Sequence, residues 1–211
     1  MGTASRLQWL RRVAATSALI MGGTAAISPR ALDELLEEAE RLVEDEADCL
    51  GVLHVLARDP RPALRALVAE AAGTISDPHS RPALQVLRGL AHDSSARVRA
   101  AVSRGLARWL ERSTPAERIE LVCEWALSRA VQERAALAAA IAGRTPLFVT
   151  DLVIEQLALD DSAEVRALAL KAALTHASDA PSAYRRIARE RLSDPDAAVR
   201  SVAESLLARL G

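Results

Sequence analysis

Ser193-Asp194-Pro195-Asp196-Ala197-Ala198-Val199-Arg200-Ser201-Val202-Ala203 places an aspartate six positions before an arginine, with valine directly before that arginine. The same arrangement stands at Asp59-Pro60-Arg61-Pro62-Ala63-Leu64-Arg65, at Asp93-Ser94-Ser95-Ala96-Arg97-Val98-Arg99 and at Asp160-Asp161-Ser162-Ala163-Glu164-Val165-Arg166. A degenerate copy has Ser128 six before Arg134, with Glu133 in the apolar slot. The arginines fall at 65, 99, 134, 166 and 200, so the spacings are 34, 35, 32 and 34. A period of this size across five copies is the signature of a repeat architecture.

Each copy runs on with the spacing of a helix. After Val98 come Val102, Leu106 and Trp109, and after Val199 come Val202, Ala203, Leu206 and Leu210. Steps of three and four residues place these side chains in one apolar stripe. A second helix is expected before each aspartate. Its start is marked by Pro82, Pro115, Pro146 and Pro181, since proline suits a first turn whose N–H would be unpaired anyway. Thr114-Pro115-Ala116-Glu117 has the pattern of a capping box. Gly73, Gly143 and Gly211 are expected just past helix ends. The unit is therefore helix, aspartate turn, helix, with five units at about 47–75, 80–111, 114–143, 145–176 and 180–210. A single helical hairpin cannot bury its own apolar face, so neighbours must stack. The expected fold is all-α, a right-handed α-solenoid of about five hairpins over 47–211, preceded by an N-terminal helix pair over 1–46.

Composition agrees. The 211 residues are 50% hydrophobic but only 2% aromatic. A core of Ala, Leu, Val and Ile suits packed helices better than strands. Charged residues make up 26% of the chain yet leave a net charge of −1. That balance lacks the basic excess typical of a nucleic-acid binder. Cys49 and Cys123 lie far apart in apolar helical contexts and read as small buried hydrophobes in a reducing compartment. Lys171 is the single lysine against 26 arginines.

The pattern Asp-x-x-x-x-Val-Arg-x-x-Ala resembles the HEAT repeat, in the short bacterial form similar to phycobilisome-lyase HEAT-like repeats. The resemblance covers about 47–211 and speaks to fold more than to function. It implies that Asp59, Asp93, Asp160 and Asp194 form an inter-repeat ladder with Arg65, Arg99, Arg166 and Arg200, with Arg134 the arginine of the degenerate copy. There Ser128 and Glu133 depart from the pattern, which implies a local bend or a weaker interface.

Residues 1–30 carry four arginines and no acid, whereas residues 31–48 carry nine acids against Arg41. Leu32, Leu35, Leu36, Ala39, Leu42 and Val43 stripe the acidic stretch. It reads as the second helix of a diverged, polar capping repeat, or alternatively as an acidic lid or docking helix for a basic partner. Val13 through Ile27 is apolar after Arg11-Arg12. It reads as an ordinary first helix, with a signal or anchor as the alternative. It is too short and polar to span a bilayer.

The residues suited to chemistry do not converge. His54, His79, His92 and His176 lack the spacing of a metal site, and no glycine-rich phosphate loop is present. Neighbouring carboxylates such as Asp160-Asp161 sit in repeat turns, where aspartate caps helices. Arg97, Arg104 and Arg108, with Arg112 following, line one helix face. They read as a solvated face or as a site for phosphate or an acidic peptide. The expectation is a non-enzymatic, cytoplasmic interaction scaffold that needs no cofactor and holds a protein partner on its concave face. Candidate contacts are Leu67, Glu70, Arg97, Ala101, Arg104, Arg108, Lys171, Val202 and Ser205. The broad apolar band of the last helix (Val199, Val202, Ala203, Leu206, Leu207 and Leu210) makes a homo- or hetero-oligomer through the C-terminal repeat a further expectation. The alternatives are a HEAT-like DNA-binding protein or alkylpurine DNA glycosylase, disfavoured by few aromatics for base stacking, and a phycobilin-lyase-like subunit.

Overall fold

The computed structural model describes residues 49–73, 81–143 and 150–211. The readings of residues 1–48, Pro146 and His79 lie outside them. Ten helices are described: α1 (Cys49–Leu56), α2 (Pro62–Ala72), α3 (Arg81–Ala91), α4 (Ala96–Arg112), α5 (Pro115–Ala126), α6 (Val131–Ile141), α7 (Thr150–Ala158), α8 (Ala163–Thr175), α9 (Pro181–Arg191) and α10 (Ala197–Leu210). No strand occurs among the described residues. They pair as five consecutive hairpins, the plan of a helical-repeat solenoid. No described helix is long and apolar enough to cross a membrane. The described residues divide into two compact units, one up to Trp109 and the other from Leu110.

The turn inside each hairpin explains the six-residue spacing. The aspartate carboxylate accepts the backbone N–H two residues on: Arg61 to Asp59 (2.8 Å), Ser95 to Asp93 (2.8 Å), Ser162 to Asp160 (2.8 Å) and Asp196 to Asp194 (3.0 Å). This local bond mimics a backbone turn and ends the first helix. Ser128 does the same through its hydroxyl, which accepts the Ala130 N–H at 3.1 Å. The arginine six residues on then donates from Nη1 to the turn's own carbonyl, at 2.7–2.9 Å in all five copies. Five carbonyls that would otherwise face a tight bend unpaired are thereby satisfied.

Among the proline signals, Pro115 and Pro181 open α5 and α9, and Pro82 lies in the first turn of α3, whose first residue is Arg81. Pro62 opens α2 as well. At α5 the capping box is complete. Thr114 Oγ1 accepts the Glu117 N–H, and Glu117 Oε2 accepts the Thr114 N–H at 2.8 Å.

In the first unit, Leu64, Val68, Ala69 and Ala72 of α2 are buried, as are Val86, Leu87 and Leu90 of α3 and Val98, Val102 and Leu106 of α4. The approach of α2 to α4 is set by glycine. A Cβ on Gly105 would overlap the Ala69 carbonyl, and one on Gly73 would overlap the Gly105 backbone. Gly73 is therefore required for proximity rather than for a left-handed helix end. Its φ of −70° is right-handed, and among the described glycines only Gly211, at φ 79°, has positive φ.

The second unit stacks three hairpins. The second helices α6, α8 and α10 pack in a row, and the first helices α5, α7 and α9 form the other row. Trp125, Leu137, Ile141, Ile154, Leu157, Leu170 and Tyr184 are fully buried between them. Tyr184 donates its hydroxyl to Asp151 Oδ1 at 2.5 Å and so ties α9 to α7. Burial, reinforced by that carboxylate, pushes the phenol's pKa well upward.

Candidate functional site

Most charged side chains singled out in the sequence are engaged inside the fold. The arginine that closes one turn also reaches the aspartate of the next. Arg65 donates from Nε and Nη2 to Asp93 at 2.6 and 3.0 Å. Arg134 does so to Asp160 at 2.5 and 2.9 Å, and Arg166 to Asp194 at 2.8 and 2.7 Å. These are fork-on-carboxylate pairs, the strong geometry of a charge-assisted bond. Asp194 is 4% and Arg166 8% exposed.

The Arg65 bond holds the Asp93 carboxyl below its usual range, as Arg166 does for Asp194. At Asp160 burial opposes ionisation, but the bonds from Arg134 and the Ser162 N–H prevail and the pKa is again lowered.

Three ladder residues behave otherwise. Asp59 pairs locally with Arg61 at 2.8 Å. Arg99 and Arg200 keep only their turn carbonyls and have no carboxylate partner among the described residues.

The basic stripe of α4 is also partly internal. Arg104 donates from Nε to Glu70 Oε1 at 2.6 Å, and Arg108 donates from Nη1 to Glu70 Oε2. Glu70 is only 1% exposed. A buried carboxylate needs such partners, so these arginines are clamps between α2 and α4 rather than an open anion site. Glu70 and Ala101, expected at a partner surface, are buried and cannot reach one. Leu67, Arg97 and Val202 are half-buried, while Lys171 and Ser205 are exposed. The sequence signal for the clamp was available: Glu70 and Arg104 stand 34 positions apart, one repeat period, and so share a register on successive second helices.

Other expectations need correction. Cys123 is an exposed free thiol rather than a core residue; it lies on the outer side of α5, whose buried side holds Leu121, Val122 and Trp125. His176 stands at the C-terminal end of α8 and is buried there, its ring nitrogens each 3.0 Å from Asp179 Oδ2 and the Ile141 carbonyl. The apolar band of α10 is narrower than its sequence implies. Val199, Ala203 and Leu206 turn inward and are fully buried, whereas Val202, Leu207 and Leu210 are half-buried. No group of His, Cys, Asp and Glu able to hold a metal ion occurs among the described residues.

Exposed apolar side chains were not anticipated. Leu127 is 75% and Leu159 59% exposed, each directly before the turn residue of its repeat. Ile119 of α5 and Leu152 of α7, the helices that Leu127 and Leu159 directly follow, are also exposed. Ala116, Ile119, Cys123 and Leu127 follow one another in steps of three and four, all exposed. In the sequence this second, outward stripe is masked by the acids Glu120 and Glu124 between its members.

No protein-family model matches the chain, and no curated protein matches it. Among solved structures, the Escherichia coli protein YibA is similar at a TM-score of 0.50 with 20% identity, over 97% of this chain and 73% of that one. A designed armadillo repeat protein matches over the whole of both chains at 17% identity with a TM-score of 0.40. At such identity the YibA likeness shows the fold alone: an all-helical repeat solenoid.

Proposed function

We propose that the chain is a non-enzymatic interaction scaffold built of HEAT-type repeats, and that its described protein-binding surface is the outer face of α5 and α7. The observation that carries this reading is the exposure of Ile119 and Leu127 on or just past α5 and of Leu152 and Leu159 on or just past α7, two helices that pack together. Large apolar side chains grouped in the open mark association surfaces on soluble domains. The charged side chains support the same reading, because the ladder and the Glu70 clamp use them to join helices. Lys171 and Ser205 on the second helices remain candidate contacts on the opposite face.

The test is recovery of a defined partner. The tagged chain is cross-linked in its native cells, and co-purifying proteins are identified by mass spectrometry. Each is then rebuilt with purified components. Leu127→Asp combined with Leu159→Asp should abolish binding of that purified partner while leaving helicity unchanged. Undiminished binding would reject this face as the site.

A further inference from the structure

In the second unit, burial along successive second helices shows what a following hairpin covers. Relative to the ladder arginine, the positions zero, four and seven are Arg134, Ala138 and Ile141 in α6, and Arg166, Leu170 and Ala173 in α8. Ala138, Ile141, Leu170 and Ala173 are fully buried. In α10 the same positions are Arg200, Glu204 and Leu207, and here Glu204 is exposed and the other two half-exposed. The aliphatic centre of the face is replaced by a carboxylate. Covered by aliphatic side chains alone, as Ala138 and Leu170 are, that carboxylate would be buried unpaired, which is costly.

Arg200 is meanwhile pre-arranged as a carboxylate receptor. Its Nη1 is held by the Asp194 and Pro195 carbonyls at 2.7 and 2.9 Å. That is the anchorage seen in Arg166, which grips the Asp160 and Asp161 carbonyls at 2.8 and 3.0 Å. The Nε and Nη2 edge, which in Arg65, Arg134 and Arg166 grips an aspartate, has no partner in Arg200 among the described residues. Glu204 lies one helical turn away on the same face and is not paired with Arg200. Within a helix, arginine before glutamate is the weaker order for an i,i+4 pair.

A positive and a negative group one turn apart on one exposed helix face are complementary to the same face turned end for end. We propose that the exposed face of α10 pairs with α10 of a second copy about a two-fold axis passing between Arg200 and Glu204. Arg200 then takes the carboxylate of Glu204 of the partner subunit, and Glu204 meets the partner's Arg200. Ala197, exposed and small, leaves room for the partner's Leu207. This is an isologous contact, in which one patch serves both subunits and the assembly closes as a dimer. It rests on the scaffold reading and names one occupant of its C-terminal face.

The test uses the full chain in sedimentation velocity over a concentration series. The wild type should show a monomer–dimer equilibrium that weakens with salt. Glu204→Arg and Arg200→Glu should each be monomeric, because each opposes like charges across the axis. An equimolar mixture of the two variants should dimerise again, since every contact then joins arginine to glutamate.

A wild type that stays monomeric at about 1 mM overturns the proposal, and so does a Glu204→Arg chain that dimerises like wild type. Neither result depends on the folding of the Arg200 variant. A monomeric chain that still binds its partner through Leu127 and Leu159 sinks the dimer and leaves the scaffold reading intact. A dimer that binds no other protein does the reverse.

Discussion

Arg166 and Arg200 form an internal experiment on what the ladder contributes. Both close their own turn through Nη1 on two carbonyls, at 2.7–3.0 Å. Only Arg166 adds a bidentate bond to a buried aspartate. Arg200→Ala should therefore remove the turn bonds alone, at a cost of about 1–2 kcal/mol at a half-exposed site. Arg166→Ala removes the same bonds and also takes the bidentate partner from the Asp194 carboxylate, whose side chain is 1% exposed, leaving it the longer contact to Arg191 at 3.5 Å. Removing one partner of a buried pair costs about 3–5 kcal/mol. The difference, about 1–4 kcal/mol, is assigned to the inter-repeat pair. Asp194→Asn completes a cycle, because asparagine keeps the turn-forming oxygen but not the charge. In wild type it should be strongly destabilising; in the Arg166→Ala background it should be nearly neutral. The assay is urea unfolding followed by circular dichroism, at concentrations that keep the chain monomeric and with the slope m checked between variants. Equal losses for Arg166→Ala and Arg200→Ala, with additive behaviour in the cycle, would refute the ladder as a source of stability. The arginines would then be turn clasps and nothing more.

Acid should act on the same contacts. Asp93, Asp160 and Asp194 all have pKa values lowered in the folded chain, so their contribution is complete above the unfolded carboxyl value of about 4 and is lost as pH falls through the folded values. Stability measured against pH should hold from 7 to about 5 and drop below about 4, with a shallower acid limb in Asp194→Asn. Gly105→Ala should cost more than the roughly 1 kcal/mol that helix propensity would return for this change, since the added methyl overlaps the Ala69 carbonyl; a stabilised variant in thermal melts would contradict the close approach of α2 and α4. Thr114→Ala should lose about 1 kcal/mol through its cap, and Glu117→Ala combined with it should add less than its separate cost, as expected of a reciprocal pair.

How far the sequence could be read depends on where its information is stored. The fold was legible because each repeat needs the same local device, an oxygen acceptor at the turn and a guanidinium six residues on. Asp59, Asp93, Asp160 and Asp194 therefore recur in register, and even Ser128 can be aligned because a hydroxyl still makes the turn. Inter-repeat contacts are stored differently, as pairs about one period apart: Glu70 with Arg104, Asp151 with Tyr184, Glu155 with Arg186 at 3.1 Å. Each member looks like an ordinary surface residue on its own helix, and only comparison with the neighbouring repeat reveals the partner. That is why Arg104 and Arg108 read as an open basic stripe until Glu70 was placed between them.

Exposed contact surfaces are harder still. A face that meets another molecule follows no rule of this chain's own packing, and it surfaces only as a departure from the period. Glu204 is such a departure, a carboxylate where Ala138 and Leu170 are buried. Leu127 and Leu159 are another, apolar where a solvated turn would favour polar side chains. In a repeat protein the internal copies supply the expectation. Residues that violate it without harming the fold are therefore the ones whose identity must be explained by something outside the repeat.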